Sequence, residues 1–164
     1  MPIYQATVAD IPAILWLRKL ASDNPLRYPL TACQLHRALQ RHCCAWIAVS
    51  AQQQKIGFAL ANKKTHHLWG LFVLAAYQRQ GYGGQLLNSA TDWLWAHSGR
   101  TVKWLWLDTQ IAAPAETFYQ YQGWQRGKKV NSIEVRYWLA RPGREPLSQV
   151  QQLKNGLCGL LRFW

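Results

Sequence analysis

A glycine-rich segment at residues 78–84, with the sequence QRQGYGG, lies between two regular patterns. The apolar run 68–76 precedes it and predicts a buried strand, whereas the pattern over 85–97 predicts an amphipathic helix. A strand, a glycine turn and a helix in this order form an anion site. Amide groups converge at the helix start, and the helix dipole adds partial positive charge there. The segment therefore predicts a phosphate-binding turn in an α/β protein.

The glycine spacing excludes two well-known phosphate loops. No Lys-Ser or Lys-Thr pair follows the glycines, as a P-loop requires, and the spacing differs from the dinucleotide-binding fingerprint. The segment instead matches Gln/Arg-x-x-Gly-x-Gly/Ala, with Gln78, Gly81 and Gly83 at the fixed positions. Glycine allows positive φ angles and a close approach of the backbone to a ligand. The alternative interpretation is an ordinary turn between a strand and a helix.

Charge and length restrict the class of protein. The chain has 164 residues, which suggests one domain that is large enough to bury a hydrophobic core. Its 19 Lys and Arg against 7 Asp and Glu give a formal charge of +12. Such a field attracts nucleic acid, acidic proteins, anionic lipid or a polyphosphate cofactor. The sequence has no run of five basic residues, so it indicates a basic surface and no dedicated nucleic-acid arm.

Cysteine usage and hydropathy predict a cytoplasmic protein without a metal site. The four cysteines show no Cys-x-x-Cys spacing, and residues 1–5 do not resemble a secretory signal. We therefore expect reduced thiols. No apolar run is long enough to span a bilayer.

The order of the predicted elements is β-α-α-β-β-β-α-β-α-β-β, without repeats or linkers. We assign 1–141 to one mixed α/β domain and 142–164 to a C-terminal appendage with a helical core. The end of the appendage is hydrophobic, so we expect it to pack on the domain or on a second copy of the chain, which would make a homodimer. These hydrophobic residues are Leu157, Leu160, Leu161, Phe163 and Trp164.

Three segments in this order resemble the GNAT acyltransferase superfamily, which uses acetyl-coenzyme A. They are the opening 6–14 (ATVADIPAI), the strand-and-loop segment 68–84, and the segment 115–124 (AETFYQYQGW). The resemblance covers roughly residues 3–140. It implies the GNAT fold, in which a mixed, mostly antiparallel central sheet of about seven strands is flanked by four helices. The C-terminal helical extension would be an addition to that fold.

The resemblance also implies a cofactor site. In the family, coenzyme A enters a cleft beside the fourth strand, where the backbone of Phe72, Val73 and Leu74 would pair with the pantetheine arm. Tyr119 would lie beside the thioester sulfur. The pyrophosphate would be bound by the glycine segment, namely Gln78, Arg79, Gln80, Gly81, Tyr82, Gly83 and Gly84.

The resemblance implies acetyl transfer to a primary amine by direct attack in a ternary complex. The acceptor amine must first lose its proton, because an ammonium has no lone pair. The Val73 or Leu74 amide could stabilise the oxyanion, and Tyr119 could act as the acid for the departing thiolate. The alternative role for Tyr119 is packing within its helix.

The general base is less defined, because His67 stands where many relatives have a Glu at the start of the fourth strand. Imidazole can act as a base near neutral pH, although His66 and His67 could simply be exposed. Asp108, at the end of the fifth strand, is a second candidate. A third option is direct capture of the small free-amine fraction. Ala112 replaces an Asn that relatives often carry.

The acceptor would bind where the family's sequences diverge most, and we assign Arg27, Tyr28 and Tyr137 to that site. Few carboxylates are available there, so a polyamine would be repelled. We expect an acidic small metabolite, or the amine of a protein or of an aminoacyl-tRNA. The alternative function is a catalytically weak GNAT-fold binding protein that uses its basic surface on RNA or on an acidic protein.

Overall fold

The structure is a computed structural model that describes residues 2–21 and 30–143. The chain divides into two compact units, Met1–Gly99 and Arg100–Trp164. Seven strands and four α-helices are found in the described residues, in the order that the sequence predicts. The predicted mixed α/β fold is therefore confirmed. The predicted C-terminal extension lies almost entirely outside the described residues.

The first unit is a four-stranded antiparallel sheet with three helices. The strands pair in the order β1-β2-β3-β4. The elements are β1 (Ile3–Gln5), α1 (Ile11–Leu20), α2 (Ala32–Arg41), β2 (Cys43–Val49), β3 (Lys55–Asn62), β4 (His67–Val73) and α3 (Tyr82–His97).

Capping boxes mark the starts of two helical segments in this unit. The Thr31 hydroxyl accepts from the Gln34 amide at 3.2 Å, and the Gln34 side chain accepts from the Thr31 amide at 2.9 Å. Thr7 and Asp10 make the same reciprocal pair at the 3₁₀ turn that leads into α1. Each such cap stabilises a helix by about 1 kcal/mol.

The sheet of the first unit buries apolar side chains on both faces. Alternate residues of β2 and β3 pack against α1 and α2, and this core includes Ile14, Leu17, Leu35, Ile47, Phe58 and Leu60. Residues of the opposite parity face α3, where the Trp46 ring lies edge-on to the Trp93 ring at 5.9 Å. Leu86, Leu87, Ala90 and Leu94 form the buried side of α3. Each fully buried leucine stabilises the fold by roughly 2 kcal/mol.

Gly57 allows β3 to lie close to β4. A Cβ atom at this position would be 2.6 Å from the carbonyl oxygen of Phe72, which is backbone and cannot rotate away. We expect Gly57→Ala to lower the free energy of unfolding by about 1–3 kcal/mol, measured by urea denaturation. In Gly123→Ala the new Cβ meets nothing within 4 Å, and only the positive φ of 81° is unfavourable. That control should cost roughly 1–2 kcal/mol from the backbone conformation alone, and a smaller loss in Gly57→Ala than in this control would contradict the steric argument.

The second unit contains three antiparallel strands and one helix. They are β5 (Trp104–Gln110), α4 (Pro114–Tyr121), β6 (Gln125–Lys129) and β7 (Glu134–Ala140). β7 pairs with both β5 and β6, with an irregularity in β6 between Arg126 and Lys129. Pro114 occupies the first turn of α4, where its missing N–H costs nothing.

The structure corrects the boundaries of several predicted elements. Helix α3 begins at Tyr82, three residues before the predicted start, because Gly81 adopts the left-handed conformation and the helix starts directly after it. Strand β4 begins at His67, one residue before the predicted apolar run. The apolar pattern of the sequence also predicts a strand over 102–107, whereas β5 covers 104–110. The order and type of the elements are unaffected.

Candidate active site

The glycine segment forms the start of helix α3 in the first unit. Gly81 is the N-cap residue, with φ 88° and ψ −10°, and the carbonyl of Gly81 accepts the first helical hydrogen bond from Gln85 at 3.2 Å. The amides of residues 82–84 precede that bond and so have no partner within the helix. No side chain caps the helix, and its first turn carries no acidic residue. These features leave amide donors and partial positive charge at the helix start, which suits an anion.

Two glutamine side chains fix the chain between β4 and α3. Nε2 of Gln78 donates to the carbonyl oxygen of Val73 at 2.9 Å, and Nε2 of Gln80 donates to the carbonyl oxygen of Ala76 at 3.0 Å. Arg79, between them, is exposed and has a positive φ of 61°, a conformation that is uncommon for a residue with a Cβ. The loop thus holds a strained, exposed arginine next to the amide donors.

The backbone of β4 has two different edges. The Leu74 amide donates to the carbonyl of Ile56 at 2.8 Å, so it is directed toward β3. Because successive residues of a strand alternate in direction, the amides of Leu71 and Val73 point away from β3. The Leu74 amide is therefore engaged, whereas the Val73 amide is oriented toward the other edge of β4.

The two histidines lie at the start of β4. His67 is buried, with 9% of its surface exposed, and it pairs with Asn62 of β3. His66 precedes the strand with a positive φ of 57°, and burial lowers the pKa of its imidazole. His67 is six residues from Val73, which corresponds to about 20 Å along a strand. A proton could pass over that distance only through intervening water molecules.

Tyr119 lies inside the second unit, on α4. Its side chain is 7% exposed, and its ring contacts the rings of Phe118, Trp124 and Tyr137 at centroid distances of 5.3, 6.0 and 6.1 Å. Burial raises the pKa of the phenol, so the hydroxyl remains protonated. Among the described residues, none donates to its hydroxyl or accepts from it. Tyr119 therefore combines a fixed ring with an uncommitted proton donor.

Glu116 organises the surroundings of Tyr137. Its Oε2 accepts from the Tyr137 hydroxyl and from Nε of Arg126, both at 2.7 Å, and its Oε1 accepts from the Ala112 amide at 2.8 Å. Burial opposes ionisation of Glu116, but these three hydrogen bonds outweigh it and lower the pKa to about 2. Tyr137 is fully buried, and its pKa is raised by burial and by the bond to Glu116. Its hydroxyl is thus engaged within the protein.

The low pKa of Glu116 predicts a pH-dependent contribution to stability. A carboxylate whose folded pKa is depressed stabilises the protein fully above its ordinary pKa of 4.5, and that stabilisation disappears as pH falls toward 2. We expect Glu116→Gln to be less stable than wild type at pH 7, with a difference that shrinks between pH 4.5 and pH 2. Thermal melts across this range measure it. Parallel curves for the two proteins would contradict the assignment.

Asp108 is engaged in a planar ion pair with Arg136. Its two oxygens accept from Nε and Nη2 of Arg136, each at 2.8 Å. The guanidinium also stacks on the Trp106 ring at 3.9 Å from the centroid. Both oxygens of this candidate base are thus already used. Of the three predicted acceptor residues, only Tyr137 can be located, because Arg27 and Tyr28 lie outside the described residues.

Residues 2–21 and 30–143 hold neither a metal-binding cluster nor a helix that could span a membrane. No group of three or more His, Cys, Asp or Glu in these ranges could hold a metal ion. No helix there is long and apolar enough to cross a membrane. Cys33, Cys43 and Cys44 are free thiols, and burial raises the pKa of Cys43 to about 12 and that of Cys44 to about 11. The two buried thiols are therefore unreactive.

One known protein family matches most of the chain. Residues 8–124 match the model of the Acetyltransferase (GNAT) family. This match includes the glycine segment, β4 and Tyr119. A search of curated proteins finds no significant match.

Solved structures share the fold at low sequence identity. A ribosomal-protein-alanine N-acetyltransferase from Brucella melitensis is 19% identical, with a TM-score of 0.66, over 86% of this chain and 100% of the other. A GNAT-family acetyltransferase from Staphylococcus aureus is 13% identical, with a TM-score of 0.68, over 85% and 98%. A dodecameric spermidine N-acetyltransferase from Vibrio cholerae is 15% identical, with a TM-score of 0.62, over 85% and 92%.

Two structural features were missed in the sequence. Glu116 carries three hydrogen bonds, but a lone acidic residue in the first turn of a short helix resembles an ordinary helix-dipole partner. Arg18 adjoins a buried leucine in α1 and gives no local signal. The one sequence signal for it is Gly70, a glycine in an otherwise bulky strand, which leaves room beside β4 for a side chain from another element.

Proposed function

The chain belongs to the acetyltransferase (GNAT) family, and we propose that it moves an acetyl group from acetyl-coenzyme A to a primary amine by direct attack in a ternary complex. The observation that carries this proposal is the uncapped start of α3, where Gly81 adopts φ 88° and three amides have no helical partner. In this proposal the start of α3 binds the pyrophosphate. The exposed Arg79 would contribute a positive charge to the same anion.

Strand β4 would bind the pantetheine arm through its backbone, like an added strand. Orientation favours Val73 over Leu74 and Phe72 for this contact, since the Leu74 amide already donates to Ile56. The same argument favours an amide on the Val73 edge as the donor to the developing oxyanion. Such a donor stabilises the transition state by about 3–4 kcal/mol in other enzymes.

The acceptor amine, once deprotonated, attacks the carbonyl carbon of the thioester. A carbon–nitrogen bond forms, the carbon–sulfur bond breaks, and the electron pair leaves with sulfur as a thiolate. We propose the Tyr119 hydroxyl as the hydrogen-bond donor to that sulfur. The hydroxyl keeps its proton, and none of the described residues accepts a hydrogen bond from it. The amine loses one more proton as the amide forms, and the thiolate or solvent takes it up.

For the base, a water-mediated path to His67 and direct capture of free amine are the two routes that we propose. Asp108 is the weaker candidate, since both of its oxygens accept from Arg136. A primary amine with an ordinary pKa near 10.4 is free at only about one part in a thousand at pH 7.4. Direct capture therefore predicts a rate that rises about tenfold per pH unit near neutrality.

The net charge of +12 guides the choice of acceptor class. We propose an acidic small metabolite, a protein amine or the amine of an aminoacyl-tRNA, each of which approaches a basic protein more readily than a polyamine does. The described cysteines are free thiols, which supports a reducing, cytoplasmic compartment.

An amine panel with thiol release as the readout tests the activity. At saturating acetyl-coenzyme A, we expect carboxylate-bearing or peptide amines to be acetylated faster than spermidine. We expect salt to lower kcat/KM for anionic acceptors, because ions screen attraction over about 10 Å at 0.1 M. Thermal shift with acetyl-coenzyme A and, separately, with RNA tests the alternative. Stabilisation by RNA alone, without thiol release for any amine, would favour the binding protein.

A further inference from the structure

Arg18 is a half-buried cation with no partner among the described residues. It lies in the last turn of α1, and its Nε atom is buried and has no hydrogen-bond partner. Among the described residues, no carboxylate pairs with its guanidinium. Desolvation by burial lowers the pKa of the group, although an arginine stays charged under all ordinary conditions. A buried donor without a hydrogen bond costs free energy, so the Nε atom of this half-buried arginine is available to a ligand.

The guanidinium lies against bare backbone on β4. A Cβ atom on Gly70 would be 3.2 Å from Nη1 of Arg18 and 3.3 Å from the ring of Phe58. The guanidinium therefore occupies the space that a side chain at position 70 would fill.

The other charges of the first unit do not compensate Arg18. Asp10 accepts from Nζ of Lys55 at 2.6 Å, and this ion pair takes up its charge. Asp92 is exposed on α3, which packs on the opposite face of the sheet from α1. The described part of this unit contains no third carboxylate. No described carboxylate of this unit therefore pairs with Arg18, and a negative group that binds it would come from elsewhere.

We propose that Arg18 binds a carboxylate of the acceptor and so determines its specificity. This inference rests on the proposed function, because it assumes an amine acceptor beside β4. Gly70 is one residue from Leu71 and three from Val73, or about 3–10 Å along the strand. A molecule of ordinary amino-acid size can span that distance between its amine and its carboxylate. The planar guanidinium matches a planar carboxylate with two parallel hydrogen bonds.

Matched acceptors with and without a carboxylate test the proposal. We would compare 4-aminobutyrate with butylamine and 6-aminohexanoate with hexylamine, at saturating acetyl-coenzyme A. Arg18→Ala should lower kcat/KM for the carboxylate acceptors on the order of 10- to 100-fold and change that of the plain amines by less than about 3-fold. Arg18→Lys should recover part of the loss, since it keeps the charge without the planar fork.

Lys19→Ala is the control, because Lys19 is exposed, carries the same charge and shares the last turn of α1. Lys19→Ala should keep kcat/KM for both acceptor classes within about 2-fold of wild type, apart from the small effect of one unit of net charge. Equal losses for both classes in Arg18→Ala, or equal effects of the two variants, would overturn the proposal.

Stability distinguishes a ligand-binding arginine from a structural one. Arg18→Met removes the unpaired charge and keeps most of the volume, so we expect the melting temperature to rise by about 2 °C or more. A fall would indicate that the folded protein already satisfies the guanidinium. Asp23 lies outside the described residues, and Asp23→Asn tests whether this carboxylate is the partner of Arg18. If this variant alone reproduces the kinetic losses of Arg18→Ala, the proposal is wrong.

A binding measurement separates this proposal from the acetyltransferase proposal. Calorimetry with 6-aminohexanoate needs no turnover. Binding that disappears in Arg18→Ala would support the carboxylate site even if no amine is acetylated. Acetylation of amines without any dependence on Arg18 would leave the proposed function intact and reject the carboxylate site.

Discussion

Replacing Tyr119 by Phe is expected to lower turnover on the order of 10²-fold, with acetyl-coenzyme A affinity within about 2-fold of wild type. The substitution removes only the hydroxyl and keeps the ring that contacts Phe118, Trp124 and Tyr137. The fold should therefore persist. Steady-state kinetics with a saturating amine and calorimetry with acetyl-coenzyme A measure the two quantities separately.

The pKa of Tyr119 shows what kind of help the hydroxyl can give. A thiol has an ordinary pKa near 8.5, so a phenol whose pKa is raised above 10 cannot fully protonate a thiolate at equilibrium. It can still donate a strong hydrogen bond as negative charge develops on sulfur. We therefore expect Tyr119→Phe to lower the rate by a similar factor at every pH between about 6 and 9. A new ionisation in that range would instead indicate full proton transfer.

Tyr121→Phe is the matched control for this variant. Tyr121 is on the same helix and is 91% exposed, so it loses the same atom without affecting a buried environment. It should retain wild-type turnover. If Tyr119→Phe also retains wild-type turnover with a good acceptor, Tyr119 is a packing residue and the proposed donor is wrong.

Local signals in the sequence account for most of the fold. Thr31 is a residue type that favours a helix start, and the structure has a reciprocal cap there with Gln34. The apolar run before the glycines predicted β4. The start of α3 was predicted three residues late, because Gly83 and Gly84 indicate a turn when read locally. In the structure, the left-handed Gly81 ends the loop, and both glycines belong to the helix.

The site was less predictable, because its properties depend on contacts between distant residues. The glycine segment could be identified, since its chemistry resides in consecutive backbone groups. The engagement of the Leu74 amide depends on β3 pairing, and the engagement of Asp108 depends on Arg136, 28 positions later. Arg18 is an even clearer case. Neither the burial of its Nε atom nor the lack of a partner among the described residues follows from the pattern of α1.

Gly83→Val is expected to weaken acetyl-coenzyme A binding on the order of 10²-fold while the protein stays folded. A branched side chain at this position would keep the diphosphate away from the amides of residues 82–84, and charge-assisted hydrogen bonds to such donors contribute about 1.5–3 kcal/mol each. The fold should not suffer, because Val is a better helix former than Gly by a few tenths of a kcal/mol. Calorimetry and thermal melts without ligand measure both effects.

Two comparisons make the Gly83 result specific to the diphosphate. Asn88→Val adds the same side chain at an exposed position of α3, so it controls for a branched residue in this helix and should keep wild-type affinity. S-acetylpantetheine lacks the diphosphate, so its binding should be nearly equal in wild type and Gly83→Val. A similar loss for both ligands would mean that the variant distorts β4 or its surroundings. Unchanged affinity for acetyl-coenzyme A would show that the start of α3 does not bind the pyrophosphate.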